Sequence, residues 1–153
     1  MSANNSSVEK VYRVQAFAPQ DINGATLNED VVSLKGYEHI DVVISVGNVA
    51  GDITVTLKQS SDVAGTGEKA LAFDAMWKDQ TKTTVTSDTF DIAAASDDNS
   101  IFVIPIDASE LDVDNGFDCI RVDLTDPAAA ALVSCTYEMC GGRYGALIDP
   151  TSD

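Results

Sequence analysis

Residues 37–47 alternate so regularly that their backbone conformation is almost dictated. Ile40, Val42, Ile44 and Val46 fall on one side of an extended chain, and His39, Asp41, Val43 and Ser45 fall on the other. A period of two sends successive side chains to opposite faces, so the segment reads as a strand with one face buried and one face wet. Residues 52–59 repeat the pattern with Ile53, Val55 and Leu57 inward, after a reversal at Asn48-Val-Ala-Gly51. Two such strands joined by a short link predict a β-hairpin.

The remaining segments have the same grain. Residues 1–7 are polar and read as a flexible arm. Residues 8–18 form a strand whose cleaner apolar set is Tyr12, Val14, Ala16 and Ala18; Pro19 ends it, and Asn23-Gly24 makes a turn. Residues 60–69 are a Gly/Ser/Thr/Asp loop. Residues 70–78 contain helix-favouring Ala, Leu and Met, yet Leu71, Phe73, Ala75 and Trp77 alternate, and the strand reading is preferred. Thr-rich residues 81–89 suit an edge strand, and the acidic, Ala-rich residues 91–100 a connection holding a helical turn. Residues 101–106 are a short strand with Pro105 at an edge or bulge. Asp114-Asn-Gly116 suggests a type I′ hairpin turn before a strand over 117–124. The last strand covers 132–139 and precedes Gly141-Gly142. About eight short strands with frequent turns predict an all-β fold, a single-domain antiparallel β-sandwich or jelly roll over residues 8–145, with 146–153 as a C-terminal tail.

Charge narrows the partners. The chain carries 25 carboxylates against nine Lys and Arg, a formal net charge of −16 over 153 residues. Such a surface repels phosphate backbones and anionic lipid, so neither nucleic acid nor a membrane is an expected partner. No apolar run approaches the ~20 residues that cross a bilayer, and the first residues have no basic, apolar export signal. The hydrophobic content of 44% suits a globular chain.

Chemical motifs are sparse. His39 is the single histidine and sits on the polar parity of its strand, which makes it a surface residue before it is a catalytic base. Cys119, Cys135 and Cys140 lack zinc spacing and read as reduced thiols, with a Cys119–Cys135 bridge open if the two lie on neighbouring strands. Residues 112–118 superficially resemble a calcium loop, but Gly116 is misplaced for that pattern and no cofactor is expected. Trp77 reads as a core residue first and an interface residue second. Arg143 and Tyr144, of types enriched in binding hot spots, are better interface candidates. Val8, Lys10 and Tyr12, next to the arm, complete the interface set.

Three segments carry a resemblance: Val46-Gly-Asn-Val-Ala50, residues 61–73 (SDVAGTGEKALAF) and residues 110–122 (ELDVDNGFDCIRV), together with the closing Arg143-Tyr144. Here the chain resembles a family of small acidic virion proteins of tailed bacteriophages. The resemblance implies a non-enzymatic capsid decoration (cement) protein with a β-sandwich or jelly-roll fold. It would assemble in the host cytoplasm onto the outer capsid surface. Its partners would be the major capsid protein and further copies of itself, as a homo-oligomer, with a trimer favoured. A tail or neck ring component, or a glycan-binding module of a head fibre or tail tip, are the alternatives.

Overall fold

The computed structural model describes residues 10–24, 27, 29–143 and 148–151; Val8, Tyr144 and the arm over 1–7 lie outside them. Eleven strands run in chain order: β1 (Tyr12–Asp21), β2 (Val32–Ser33), β3 (His39–Val49), β4 (Ile53–Ser60), β5 (Lys69–Ala70), β6 (Ala75–Lys78), β7 (Thr81–Thr84), β8 (Thr89–Ile92), β9 (Ile101–Asp107), β10 (Cys119–Leu124) and β11 (Ala131–Cys140). They form two antiparallel sheets. The larger has the order β1-β11-β3-β9-β6-β7; the smaller is β2-β10-β4-β5, with β8 also paired to β4.

The topology is a jelly roll. Apart from the short β5, β6 and β7, the strands pair first with last and then inward: β1 with β11, β2 with β10, β3 with β9, and β4 with β8. This is one long antiparallel hairpin wrapped into two layers. The extra short strands account for the excess over the eight or so expected. β5 extends the pairing of β4, and the β6–β7 hairpin adds a margin to the larger sheet.

The wrap corrects the predicted β3–β4 hairpin. β3 pairs with β11 and β9, whereas β4 pairs with β10, β5 and β8, so residues 48–51 cross from one sheet to the other. Ile40, Val42 and Ile44 therefore face Ile53, Val55 and Leu57 from the opposing layer, all fully buried. Alternation reports which face is buried; it does not report whether a neighbour lies beside or across. Gly51 is required at this crossing, because a Cβ there would lie 2.3 Å from the Pro127 carbonyl oxygen.

Three smaller expectations also change. Pro19 does not end β1, which continues to Asp21; β1 is an edge strand, where a missing N–H is tolerated, and its register slips on both sides of Phe17. The slip turns Phe17 inward and leaves Ala18 exposed, so Ala18 leaves the apolar set that Tyr12, Val14 and Ala16 begin. Residues 113–115 form a 3-10 turn closed by Gly116 at φ 83°, not a type I′ hairpin, since β9 and β10 lie in different sheets. Pro105, by contrast, falls on β9 beyond the two residues that β6 covers, at an open margin of that strand.

Trp77 is 38% exposed on the outer face, so its reading as a core residue fails. Cys119 and Cys135 are both buried, and they stand in different sheets rather than on neighbouring strands.

With little helix, the loops must satisfy their backbone amides in other ways. Aspartates do much of this. Asp21 accepts from Asn23 and Ala131, Asp62 from Ala64 and Thr66, and Asp126 from Gly24 and Ala128. Asp52, Asp79, Asp97 and Asp98 accept from Ala94, Ile101, Ala93 and Val49. The C-terminal segment is drawn in as well: the Ser33 amide donates to the Pro150 carbonyl at 2.8 Å, and the Tyr37 hydroxyl to that of Ile148.

One side chain ties the layers together. Tyr137 projects inward from β11, and its hydroxyl accepts the Val122 amide of β10 at 3.0 Å, beyond the point where β2 stops pairing with β10. Replacing it with Phe leaves that buried amide without an acceptor. We expect Tyr137→Phe to lower unfolding free energy by about 1–3 kcal/mol in a denaturant titration; a change within error would show that the bond is dispensable.

Candidate functional site

The outer face of the larger sheet can be read row by row from its register. One row crosses all its strands: Gln15, Thr136, Val43, Val103, Trp77 and Lys82. The next row holds Ser134, Ser45 and Ile101, and beyond it Leu132 lies against Gly47, where an added Cβ would sit 3.2 Å from that of Leu132. Carboxylates stand at the margins of this area: Asp79 lies beside Ile101 and accepts its amide at 2.9 Å, and Asp21 stands opposite Leu132. Five large hydrophobic side chains are exposed among the described residues, and three of them, Trp77, Ile101 and Leu132, lie on this patch.

The other end of the same face is charged. Arg13 pairs with Glu138, which stands opposite Asp41. His39 is held by two carboxylates, with Nδ1 2.7 Å from Asp107 and Nε2 3.0 Å from Asp41. Both ring nitrogens can donate only when the imidazole is protonated. Burial works against the charge, but the two carboxylates outweigh it and raise the His39 pKa. Cys140 is in register with His39, yet burial and the carboxylates of Asp41, Asp107, Glu138 and Glu38 push its thiol up. A Cys–His nucleophile needs the reverse: a depressed thiol pKa and a free ring nitrogen.

On the smaller sheet, Lys58 and Arg121 are directly opposed in register. Arg121 reaches Glu68 and Asp123 at 2.8 Å each, and Lys58 pairs with Asp123. The like-charge pair is thus neutralised by two acids. Lys58, Arg121 and Asp123 line a shallow cleft with Leu27, Thr56, Thr125 and Asp126.

Beneath that cleft Glu29 is 4% exposed, and neither carboxylate oxygen makes a hydrogen bond of normal geometry. Burial pushes its pKa up to about 7; Asp123 adds to the rise, while the Glu29 backbone amide, Arg121 and the Leu124 amide oppose it. No histidine, cysteine and carboxylate grouping able to hold a metal occurs among the described residues.

The candidate interface residues do not form one site. Tyr12 is half-buried, with its ring 6.5 Å from that of Tyr37, and the Arg143 Nε donates to the Tyr37 carbonyl at 2.9 Å. Tyr12 and Arg143 therefore share one end of the sandwich, with Lys10 exposed beside the start of β1. Trp77 lies at the opposite margin of the sheet, on β6. The transverse rows of the outer face, the bridged His39 and the buried Glu29 escaped sequence reading. Each depends on which strands are neighbours, although the outward parity of Val43 and Ser45 was visible. No family model, curated protein or solved structure matched this chain.

Two titrations test these environments. His39 raised above its ordinary value near 6.5 adds stability that is complete below that value and is lost as pH rises through the raised one. NMR titration of the single histidine should place its midpoint above 6.5, and a midpoint at or below it would dissolve the bridge. Glu29 ionises near 4.5 when unfolded but only near 7 when folded, so stability falls across that interval as pH rises. Glu29→Gln should remove the fall, melting higher than the parent at about pH 8 and converging with it near pH 4. A parallel pair of melting curves would refute the buried-acid account.

Proposed function

We propose that the protein is a non-enzymatic virion structural protein that decorates and stabilises the outer surface of a phage capsid through protein–protein contacts. The observation that carries the reading is that the chemistry-bearing side chains serve the scaffold. His39 is bridged, the cysteine thiols are buried or pushed up, and the Lys58–Arg121 pair is neutralised. What the molecule offers a partner is shape, charge and an outer face that exposes Trp77, Ile101 and Leu132.

The two-layer jelly roll suits this role, since rigid sandwiches of this kind build and clothe viral shells, although the fold also hosts lectins and enzymes. The motifs in residues 46–50, 61–73 and 110–122 support the phage assignment. Net charge of −16 suits an outward position away from packaged DNA, and it would steer the protein toward a basic patch on the major capsid protein. Contacts of this kind weaken as salt screens them. No cofactor is needed.

A glycan-binding module is the second reading, and the exposure of Trp77 favours it, since sugars stack on aromatic rings. Co-sedimentation with emptied, expanded heads, with tails as the control, separates the two. Saturable binding to heads alone, weaker at high salt, is the expected result. Binding to tails or to neither particle would overturn the decoration role, and Trp77 quenching by sugars would then support the glycan reading.

A further inference from the structure

We propose that the Glu29 side chain is a proton-operated latch on the open end of β10. Seated in the sandwich while protonated, it leaves for solvent on ionisation and uncovers the free edge of that strand. The two edges of β10 are unequal. β4 pairs with it from Cys119 to Leu124, but β2 pairs only with Cys119 and Ile120. The Thr125 amide points to β4, where it donates to Thr54, so by alternation those of Leu124 and Val122 point the other way. Beyond β2 each of these two amides needs an acceptor from another element. The Tyr137 hydroxyl takes that of Val122 at 3.0 Å. The carboxyl that stands against Leu124 is that of Glu29, 4% exposed, with neither oxygen in a hydrogen bond of normal geometry.

The cover at Leu124 differs from that at Val122 because its acceptor ionises. Asp123 and Arg121 face Glu29 from β10, and the Cys135 thiol and Tyr137 hydroxyl face it from β11. Burial keeps the thiol and the phenol neutral. Asp123 repels a second carboxylate, and Arg121 is already held by Glu68 and Asp123 at 2.8 Å each. A charged Glu29 therefore has neither water nor a cation of its own, and such a group stays neutral or moves. Burial holds it protonated up to about pH 7. Above that, the way out is the adjoining cleft, walled by Leu27, Lys58, Arg121, Asp123 and Leu124. There the carboxylate meets water and both cations. It leaves behind a Leu124 amide without an acceptor, at a strand edge open to solvent or to a further strand. The latch belongs to the fold and stands whether or not the protein decorates a capsid.

Native-state hydrogen exchange of the full chain tests the proposal, read amide by amide by NMR and corrected for the intrinsic rate at each pH. Between about pH 6 and about pH 8 the Leu124 amide should lose protection by about tenfold, as Glu29 ionises and leaves. Val122, held by Tyr137, and Ile44, on β3 between β11 and β9, should keep theirs within about twofold. In Glu29→Gln the side chain stays neutral, and protection at Leu124 should be flat over the same range. Protection at Leu124 that is constant in the parent, or that rises with pH, would overturn the latch, because a carboxylate that stays inside is the better acceptor. Loss in step at Leu124, Val122 and Ile44 would be global loosening and would overturn it too. So would a fall at Leu124 that Glu29→Gln does not remove. If Glu29→Gln does not fold, as judged by circular dichroism, the comparison of Leu124 with Val122 and Ile44 in the parent decides alone.

Discussion

The fold depends on carboxylates meeting backbone amides. A chain of short strands and many connections exposes far more unpaired N–H groups than a helical one, and each buried amide left alone costs about 1–3 kcal/mol. Aspartate is the shortest side chain that can place a charged acceptor two or more residues away on its own backbone. Asp62 folds its loop around the amides of Ala64 and Thr66, while Asp126 joins the Gly24 turn to the Ala128 turn. The acidity that looks like a surface property is therefore partly architecture. It also accounts for an Asp-rich loop with no ion in mind: Asp112 is engaged by Lys69 and by Asn115.

Strand positions and buried faces were legible from alternation, because β3, β4, β10 and β11 each present a full parity of apolar residues to the core. Connectivity was not. The link at Asn48-Val-Ala-Gly51 has the length and composition of a hairpin, yet it crosses between sheets, and no local feature separates the two cases. What separates them is global: β3 can bury Ile40, Val42 and Ile44 only if another layer covers them, and β4 supplies part of that layer. Trp77 failed for a related reason. Its parity matched that of Leu71, Phe73 and Ala75, but on the short β6 it is Met76 that packs against the core, and Trp77 lies on the outer face.

The candidate site was less legible than the fold. The transverse rows of the outer face draw single residues from β1, β11, β3, β9 and β6, spread from Gln15 to Thr136 in sequence, and nothing local marks them as neighbours. The same holds for His39, whose partner Asp107 comes from the adjacent strand β9. Asp41, two residues away on the same face, was the one part of that bridge open to a parity argument. Once the register is known, ion pairs gather at one end of a single sheet face, and hydroxyl and apolar groups fill the middle of the next rows. That separation is easier to maintain on a sheet than on a helix surface, because each row is an independent transverse line.

The titratable groups push stability in opposing directions with pH. Asp21, Asp62, Asp97, Asp112 and Asp149 all have lowered pKa values, most of them through hydrogen bonds to backbone amides or neighbouring side chains. Their contribution is present above the ordinary aspartate value and fades as pH falls through the lowered ones. Glu29 and His39 act in the other sense, both favouring the folded chain when protonated and losing that contribution as pH rises. The two trends overlap where the aspartates are ionised and Glu29 and His39 still hold their protons. A chain this acidic also repels itself less as its net charge shrinks, which adds to the preference for the acid side of neutrality. The maximum of stability therefore falls between the aspartate range and pH 7, set jointly by the loop carboxylates, one buried acid and one bridged imidazole.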